Sequence, residues 1–179
     1  MVISNKHNRS NRSVVCALGF KQNAKKKIIM RPNHIGPLSQ SILLSNDPAN
    51  PNKLFRTALS AFNDRDFSGA FTAWSLLAEQ NNPDALNNLG LLHSRGLGVT
   101  PNYEQAVNCF KTASFSGHAL AQNNLGIMNY YGFGTQRSYE LAHMWFNISA
   151  SNGNELGGSN IDIVAKKMSS ADISKAQSM

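Results

Sequence analysis

Cysteine is scarce in this sequence: the 179 residues contain two, Cys16 and Cys109. They lie in segments of very different composition, so no disulfide framework is predicted, and no cysteine or histidine spacing matches a metal site. Long hydrophobic runs are also missing. The longest apolar stretch, around residues 14–20, is far shorter than the ~18–20 residues that a membrane-spanning helix needs. We therefore predict no transmembrane segment, no bound metal and no cofactor.

Acidic residues are absent from residues 1–46, which carry eight lysines and arginines. The rest of the chain has nine basic residues against ten acidic ones, so the net charge of +7 belongs to the N-terminal tail. A folded part without net positive charge is not predicted to bind nucleic acid. We interpret residues 1–50 as a basic tail that is disordered or serves in targeting. A basic start followed by the apolar residues 14–18 favours an exported or periplasmic protein, with a cytoplasmic or organelle-targeted protein as the alternatives.

An internal repeat of 36 residues organises the remainder of the chain. The shift superposes residues 87–90 on residues 123–126, both of which read Asn-Asn-Leu-Gly, and aligns the later glycines, tyrosines, alanines and phenylalanines. A degenerate copy precedes these two. The repeat predicts units at about residues 51–82, 83–118 and 119–154, followed by a C-terminal cap at 155–179.

Each unit reads as two helices. In the first complete unit, Asn82 and Pro83 are suited to begin a helix, and Gly96 is suited to end it. Asn102 then begins a second helix, which Gly117 closes. Apolar residues recur at helical spacing in both segments, so each helix has one face to bury. The sequence therefore predicts an all-α protein of tandem helix–turn–helix units.

The motif Leu-Gly, then Gly-x-Gly, then alanine and aromatic residues with a closing glycine resembles the Sel-one-like repeat family, which is related to tetratricopeptide repeats. The resemblance covers roughly residues 53–177. It implies a right-handed α/α superhelical solenoid of about three helix–turn–helix repeats plus a C-terminal capping helix pair. It also implies a non-catalytic scaffold that binds a protein or peptide partner on its concave surface. The residues that we assign to the framework of the two complete units are Leu89, Gly90, Gly96, Gly98, Ala106, Phe110, Leu125, Gly126, Gly132, Gly134, Ala142, Trp145 and Phe146.

Three histidines and one cysteine are the candidates for catalysis: His93, His118, His143 and Cys109. No acidic residue recurs beside the histidines in the spacing of a triad or a metal site. Cys109 fits a small buried hydrophobic residue better than a nucleophile. We predict no enzyme. The alternative is a hydrolase related to the cysteine-rich members of the family that act on β-lactams, but their paired cysteines are missing here.

Partner contacts are predicted on the first helix of each unit, at positions away from its apolar stripe. The recurring asparagine pairs are suited to hydrogen bonding with an extended peptide. The predicted partner-binding residues are Asn87, Asn88, Leu91, Arg95, Asn123, Asn124, Ile127, Tyr130 and Tyr131. The protein is predicted to be monomeric. An alternative function is a scaffold tethered to nucleic acid or an anionic membrane by its basic tail.

Overall fold

The computed structural model describes residues 50–179, so the predicted tail and its role in targeting lie outside this range but for Asn50. The described part folds into eight α-helices and contains no strand. Consecutive helices from α1 to α7 pack against one another, whereas α8 packs mainly against α6. This arrangement confirms the predicted solenoid of helix pairs. The helices are α1 (Pro51–Asn63), α2 (Phe67–Ala78), α3 (Pro83–Arg95), α4 (Tyr103–Phe115), α5 (Ala119–Tyr131), α6 (Tyr139–Ser151), α7 (Glu155–Ala165) and α8 (Ser170–Gln177).

Side-chain caps define where the helices begin, as the sequence predicts. The side chain of Asn82 accepts a hydrogen bond of 3.0 Å from the backbone N–H of Ala85. Asn102 caps α4 in the same way, through the N–H of Gln105. Each cap satisfies one of the four N–H groups that a helix leaves unpaired at its start. The caps therefore fix the chain positions at which each unit turns.

Glycine ends the first helix of each complete unit. Gly96 and Gly132 adopt the left-handed conformation, with φ of 66° and 76°. Gly98 and Gly134 follow, also with positive φ, and each lies directly against a backbone carbonyl at the start of a preceding second helix. No side chain fits between these backbones. The connection in each unit is thus held against the unit before it.

The core lies between the helices of each pair and between neighbouring units. Trp74, Phe110 and Phe146 are its largest fully buried side chains. Trp145, which was also predicted to belong to the framework, is half-buried and packs against the core that contains Phe110 and Phe146. Successive residues of a helix point about 100° apart, so Trp145 cannot share the direction of Phe146. Its ring packs edge-on against the exposed ring of Phe115, with centroids 6.1 Å apart.

The first helices of the units are α1, α3, α5 and α7, and partner contacts were predicted on these elements.

Within residues 50–179, no helix has both the length and the apolar character required to cross a membrane.

Candidate functional site

Six of the nine predicted partner-binding residues are buried, with exposures of 2% or less. These six side chains are therefore not open to solvent, as contact with a partner would require. The buried residues are Asn87, Asn88, Leu91, Asn123, Asn124 and Ile127. The remaining three, Arg95, Tyr130 and Tyr131, are half-buried. For these three, contact with a partner stays a prediction.

The buried asparagines form hydrogen bonds between units. The side-chain amide Nδ2 of Asn124 donates to Oδ1 of Asn87 over 2.9 Å, and Nδ2 of Asn160 donates to Oδ1 of Asn123 over 2.7 Å. Both pairs are separated by 37 residues. We call these two bonds the asparagine ladder; it connects α3 to α5 and α5 to α7. Asn160 was not among the predicted residues, although a shift of 36 residues from Asn124 leads to it.

Several amide atoms of these asparagines remain unpaired within the described part of the chain. Nδ2 of Asn123 and Oδ1 of Asn124 have no hydrogen-bond partner there, and Asn88 lacks a partner at both atoms. Buried amide groups are normally satisfied, because an unmade hydrogen bond costs about 1–3 kcal/mol. The row of first helices therefore carries donors and acceptors that the ladder does not use.

Aromatic side chains cluster where α5 ends and α6 begins. Tyr131 and Tyr103 each stack on Phe133, with ring centroids 5.3 and 5.0 Å apart. Tyr130 packs against Tyr131 at 4.9 Å and against Tyr139 at 5.4 Å. We call these five residues the aromatic cluster. All five side chains are half-buried, so the cluster presents ring surface to solvent.

Arg137 accompanies the aromatic cluster. The guanidinium carbon of Arg137 lies 5.6 Å from the centre of the Tyr139 ring, within the range of a cation–π contact. Burial is the main factor that raises the pKa of both Tyr130 and Tyr131, with the neighbouring tyrosine as a second cause. Both phenols therefore stay protonated at neutral pH and can donate hydrogen bonds.

The sequence identified two members of the cluster, Tyr130 and Tyr131, and missed the other three together with Arg137. A signal for the cluster exists in the repeat alignment. Shifting by 36 residues places Tyr130, Tyr131 and Phe133 on Ser94, Arg95 and Leu97 of the preceding unit. The second complete unit thus gained aromatic rings at positions where the first has none, which the framework of the repeat does not require.

The histidines considered for catalysis occupy structural positions. His93 packs edge-on against Phe71, and His143 is buried on α6. His118 accepts a hydrogen bond from the N–H of Ala121 through Nδ1 and contacts Asp84 through Nε2 at 3.0 Å. It thereby caps α5 and connects that helix to α3. Burial lowers the pKa of both His93 and His143, which favours their neutral form.

Cys109 lies half-buried on α4. Burial raises the pKa of its thiol to about 11, so the reactive thiolate is scarce at neutral pH. Among residues 50–179, no group of three or more histidine, cysteine, aspartate or glutamate side chains is placed to hold a metal ion.

Comparison with known proteins finds two repeats in this chain. The family model described as Sel1 repeat matches residues 83–118 and 119–154. The chain is similar to the crystal structure of a protective antigen from uropathogenic Escherichia coli that displays an SLR fold. The identity is 26% and the TM-score 0.69, over 72% of this chain and 28% of the antigen.

A second similar structure is a Sel1 repeat protein from Oxalobacter formigenes. Its identity is 22% and its TM-score 0.66, over 76% of this chain and 58% of that protein. The matched region thus spans less than two thirds of either relative. The comparison with curated proteins finds no match.

Proposed function

From two Sel1 repeats, at residues 83–118 and 119–154 of a solenoid of paired helices, we propose that this protein is a non-catalytic scaffold that binds a protein or peptide partner. Sel1-repeat proteins are generally protein-interaction scaffolds. The finer part of the proposal concerns where the partner binds. We assign it to the aromatic cluster at the junction of α5 and α6.

The composition and exposure of the aromatic cluster are the observation that carries this assignment. Tyrosine and arginine are enriched at the centres of protein interfaces, since they combine a large apolar area with a hydrogen-bond donor. Tyr130 and Tyr131 offer both features, and Arg137 adds a cation at the edge. The rings pack on one another, so they are held in place before a partner arrives. Little side-chain entropy is then lost on binding.

A half-buried position in the cluster and an exposed position outside it give a direct test. A photo-crosslinking amino acid is introduced at Tyr131 and, as a matched control, at Thr112, an exposed residue on α4. We expect a discrete crosslinked product in native cells from position 131 and none from position 112. The same products from both positions, or none from position 131, would contradict the assigned site.

Side-chain variants measure the contribution of the rings once a partner is captured. Truncating a central aromatic residue of an interface commonly costs about 2 kcal/mol, which is roughly thirtyfold in Kd. We expect Tyr131→Ala to weaken binding by about this factor and Tyr131→Phe by much less, because phenylalanine keeps the ring. Circular dichroism of both variants must match the parent. Equal affinities of the two variants for the partner would show that the Tyr131 ring does not contribute to the interface.

We do not extend the proposal to β-lactam hydrolysis. The only cysteine in residues 50–179 is Cys109, and burial of its thiol disfavours the nucleophilic form.

A further inference from the structure

Three rings of the aromatic cluster form a stack. Phe133 lies between Tyr103 and Tyr131, and its ring plane is inclined by 21° to the first and by 20° to the second. Successive centroids are 5.0 and 5.3 Å apart, so the two outer rings are separated by at most about 10 Å. Tyr103 belongs to the first complete unit and the other two rings to the second, so the stack crosses the junction of the units. It offers a row of half-buried ring surface with a defined length.

The length of this row is close to one turn of a polyproline II helix. That conformation has three residues per turn and advances ~3.1 Å per residue, which gives ~9 Å per turn. Two prolines that are one turn apart can therefore pack their pyrrolidine rings on the two ends of the stack. Proline on aromatic rings is a recurring mode of peptide recognition, because the chain is extended before it binds and loses little conformational entropy.

The hydrogen-bonding groups of the cluster favour the same conformation. Its side chains offer tyrosine hydroxyls and a guanidinium, all of which can donate a hydrogen bond. A polyproline II segment has no internal hydrogen bonds, so its carbonyl oxygens are available as acceptors. An α-helical partner uses its carbonyls internally, and strand addition requires a sheet edge. Residues 50–179 contain no strand and hence no such edge.

Arg137 determines which charge the partner should carry. Its side chain is exposed, and no carboxylate of residues 50–179 forms an ion pair with it. Contact with the Tyr139 ring holds the guanidinium at the edge of the cluster. The nearest acidic residue in the sequence is Glu140, whose carboxylate accepts a hydrogen bond of 3.0 Å from the hydroxyl of Ser138. A carboxylate of a partner can therefore form two charge-assisted hydrogen bonds with Arg137.

The charges beside the cluster differ between its two ends. Ring contacts connect Arg137 to the stack through Tyr139 and Tyr130, which meets Tyr131. At the other end, Tyr103 is followed by the exposed carboxylate of Glu104. A partner carboxylate would be attracted at the first end and repelled at the second. An acidic residue is therefore expected on one side only of the partner's prolines.

We propose that the partner segment bound by the aromatic cluster is proline-rich, adopts the polyproline II conformation and carries an acidic residue on one side of its prolines. Prolines one turn apart pack on the stack, the tyrosine hydroxyls donate to carbonyl oxygens of the segment, and the acidic residue pairs with Arg137. This inference rests on the proposed function and adds the chemistry of the partner to it.

Synthetic peptides test the partner chemistry before any cellular partner is identified. Two fluorescein-labelled peptides contain a run of about six prolines, enough for two turns, with one aspartate either before or after the run. Fluorescence anisotropy with the full chain measures their affinity. We expect saturable binding of at least one of them. Its counterpart with glycine and serine in place of the prolines is flexible and should not saturate. This control keeps the aspartate, so it also reports any binding to the basic tail.

Charge changes on both sides test the pairing with Arg137. Lysine in place of the peptide's aspartate should weaken binding about tenfold, because the charge-assisted hydrogen bonds are lost. Arg137→Gln should weaken binding of the aspartate peptide by a similar factor. Lys111→Gln removes an exposed cation on α4 and is the matched control, which should leave the affinity unchanged. Both substituted side chains are exposed, so both variants should fold like the parent.

Three results would overturn the inference. They are equal binding of the proline peptides and their glycine–serine counterparts, no binding of either, and an affinity for the aspartate peptide that Arg137→Gln leaves unchanged. Crosslinking at position 131 tests the proposed function separately. A protein captured there through a segment without proline would support the proposed function and contradict the polyproline II partner, so the two failures can be told apart.

Discussion

Gly126 lies so close to the ring of Phe146 that a methyl group on its Cα would come within 2.5 Å of the ring carbon Cε1. Gly90 has the same relationship to Phe110, one unit earlier. In each complete unit, the missing side chain of the first helix makes room for the buried ring of the second. The Leu-Gly step of the repeat is therefore a packing requirement.

Gly126→Ala should lower the free energy of unfolding by about 1–3 kcal/mol, because the added methyl group overpacks the contact with Phe146. Urea denaturation followed by circular dichroism measures the change. The control is Gly158→Ala on α7, where nothing lies within 4 Å of the added carbon. There, alanine should raise stability by roughly 0.5–1 kcal/mol. Equal effects at the two glycines would refute the packing role of Gly126.

Breaking the ladder between α5 and α7 should destabilise the protein. Asn160→Leu leaves Oδ1 of buried Asn123 without its donor, at an expected cost of about 1–3 kcal/mol. The double variant with Asn123→Leu should cost clearly less than the sum of the two single variants, since neither amide is then left unpaired. Asn147→Leu, at an exposed position on α6, should change stability by less than ~0.5 kcal/mol. Additive effects of the two ladder variants would show that the bond contributes no coupling.

Stability should fall as the pH drops from about 7 toward 5. Burial lowers the pKa of His143 and of His93 in the folded state, whereas in the unfolded chain both return to ~6.5. Below that pH, the unfolded state binds more protons, so acidification favours unfolding. Urea denaturation between pH 7.5 and 5.0 should show a shallower pH dependence for His143→Gln than for the parent. An unchanged slope would mean that His143 titrates alike in both states.

Alkylation should distinguish the folded from the unfolded state at Cys109. Burial raises the pKa of this thiol to about 11, so little thiolate exists at pH 8. In a Cys16→Ser background, we expect iodoacetamide to react with Cys109 at least tenfold faster in urea than in the folded protein, because unfolding exposes the thiol and returns its pKa to the ordinary value of ~8.5. Mass spectrometry at timed quenches measures both rates. Similar alkylation rates in urea and in the folded protein would show that the Cys109 thiol is accessible to the reagent in the folded state.

Much of the fold could be predicted from the sequence, because the residues that recur every 36 positions are those that make contacts within a helix pair. Gly90, Gly96 and Phe110 each have a single physical role, and their spacing fixes where the helices meet and end. The contacts between units were harder to infer. Periodicity in one helix reveals the face that meets its own partner helix, but polar residues that meet the next unit look like solvated ones. For this reason, Asn87 and Asn124 were predicted to contact a partner, whereas they are buried and bond to each other.

The aromatic cluster shows a second limit of the sequence. Its members come from α4, α5, α6 and the connection between α5 and α6, so no single window of the sequence contains it. Tyr103 and Phe133, 30 residues apart, meet only because the two units stack. Comparing the units position by position would have revealed the rings of Tyr130, Tyr131 and Phe133 as departures from the pattern.

The hydrogen bonds of the ladder make the two ends of the solenoid different, because each joins the sixth residue of one first helix to the fifth residue of the preceding first helix. An interior unit must supply an acceptor at the fifth position of its first helix and a donor at the sixth, as Asn123 and Asn124 do. Phe55 in α1 has no polar side-chain atom, so it cannot serve the unit that follows it, and the ladder does not join α3 to α1. Copies of residues 119–154 inserted before α7 should therefore extend the protein with every new pair of neighbours matched, whereas copies of residues 51–82 inserted there should not.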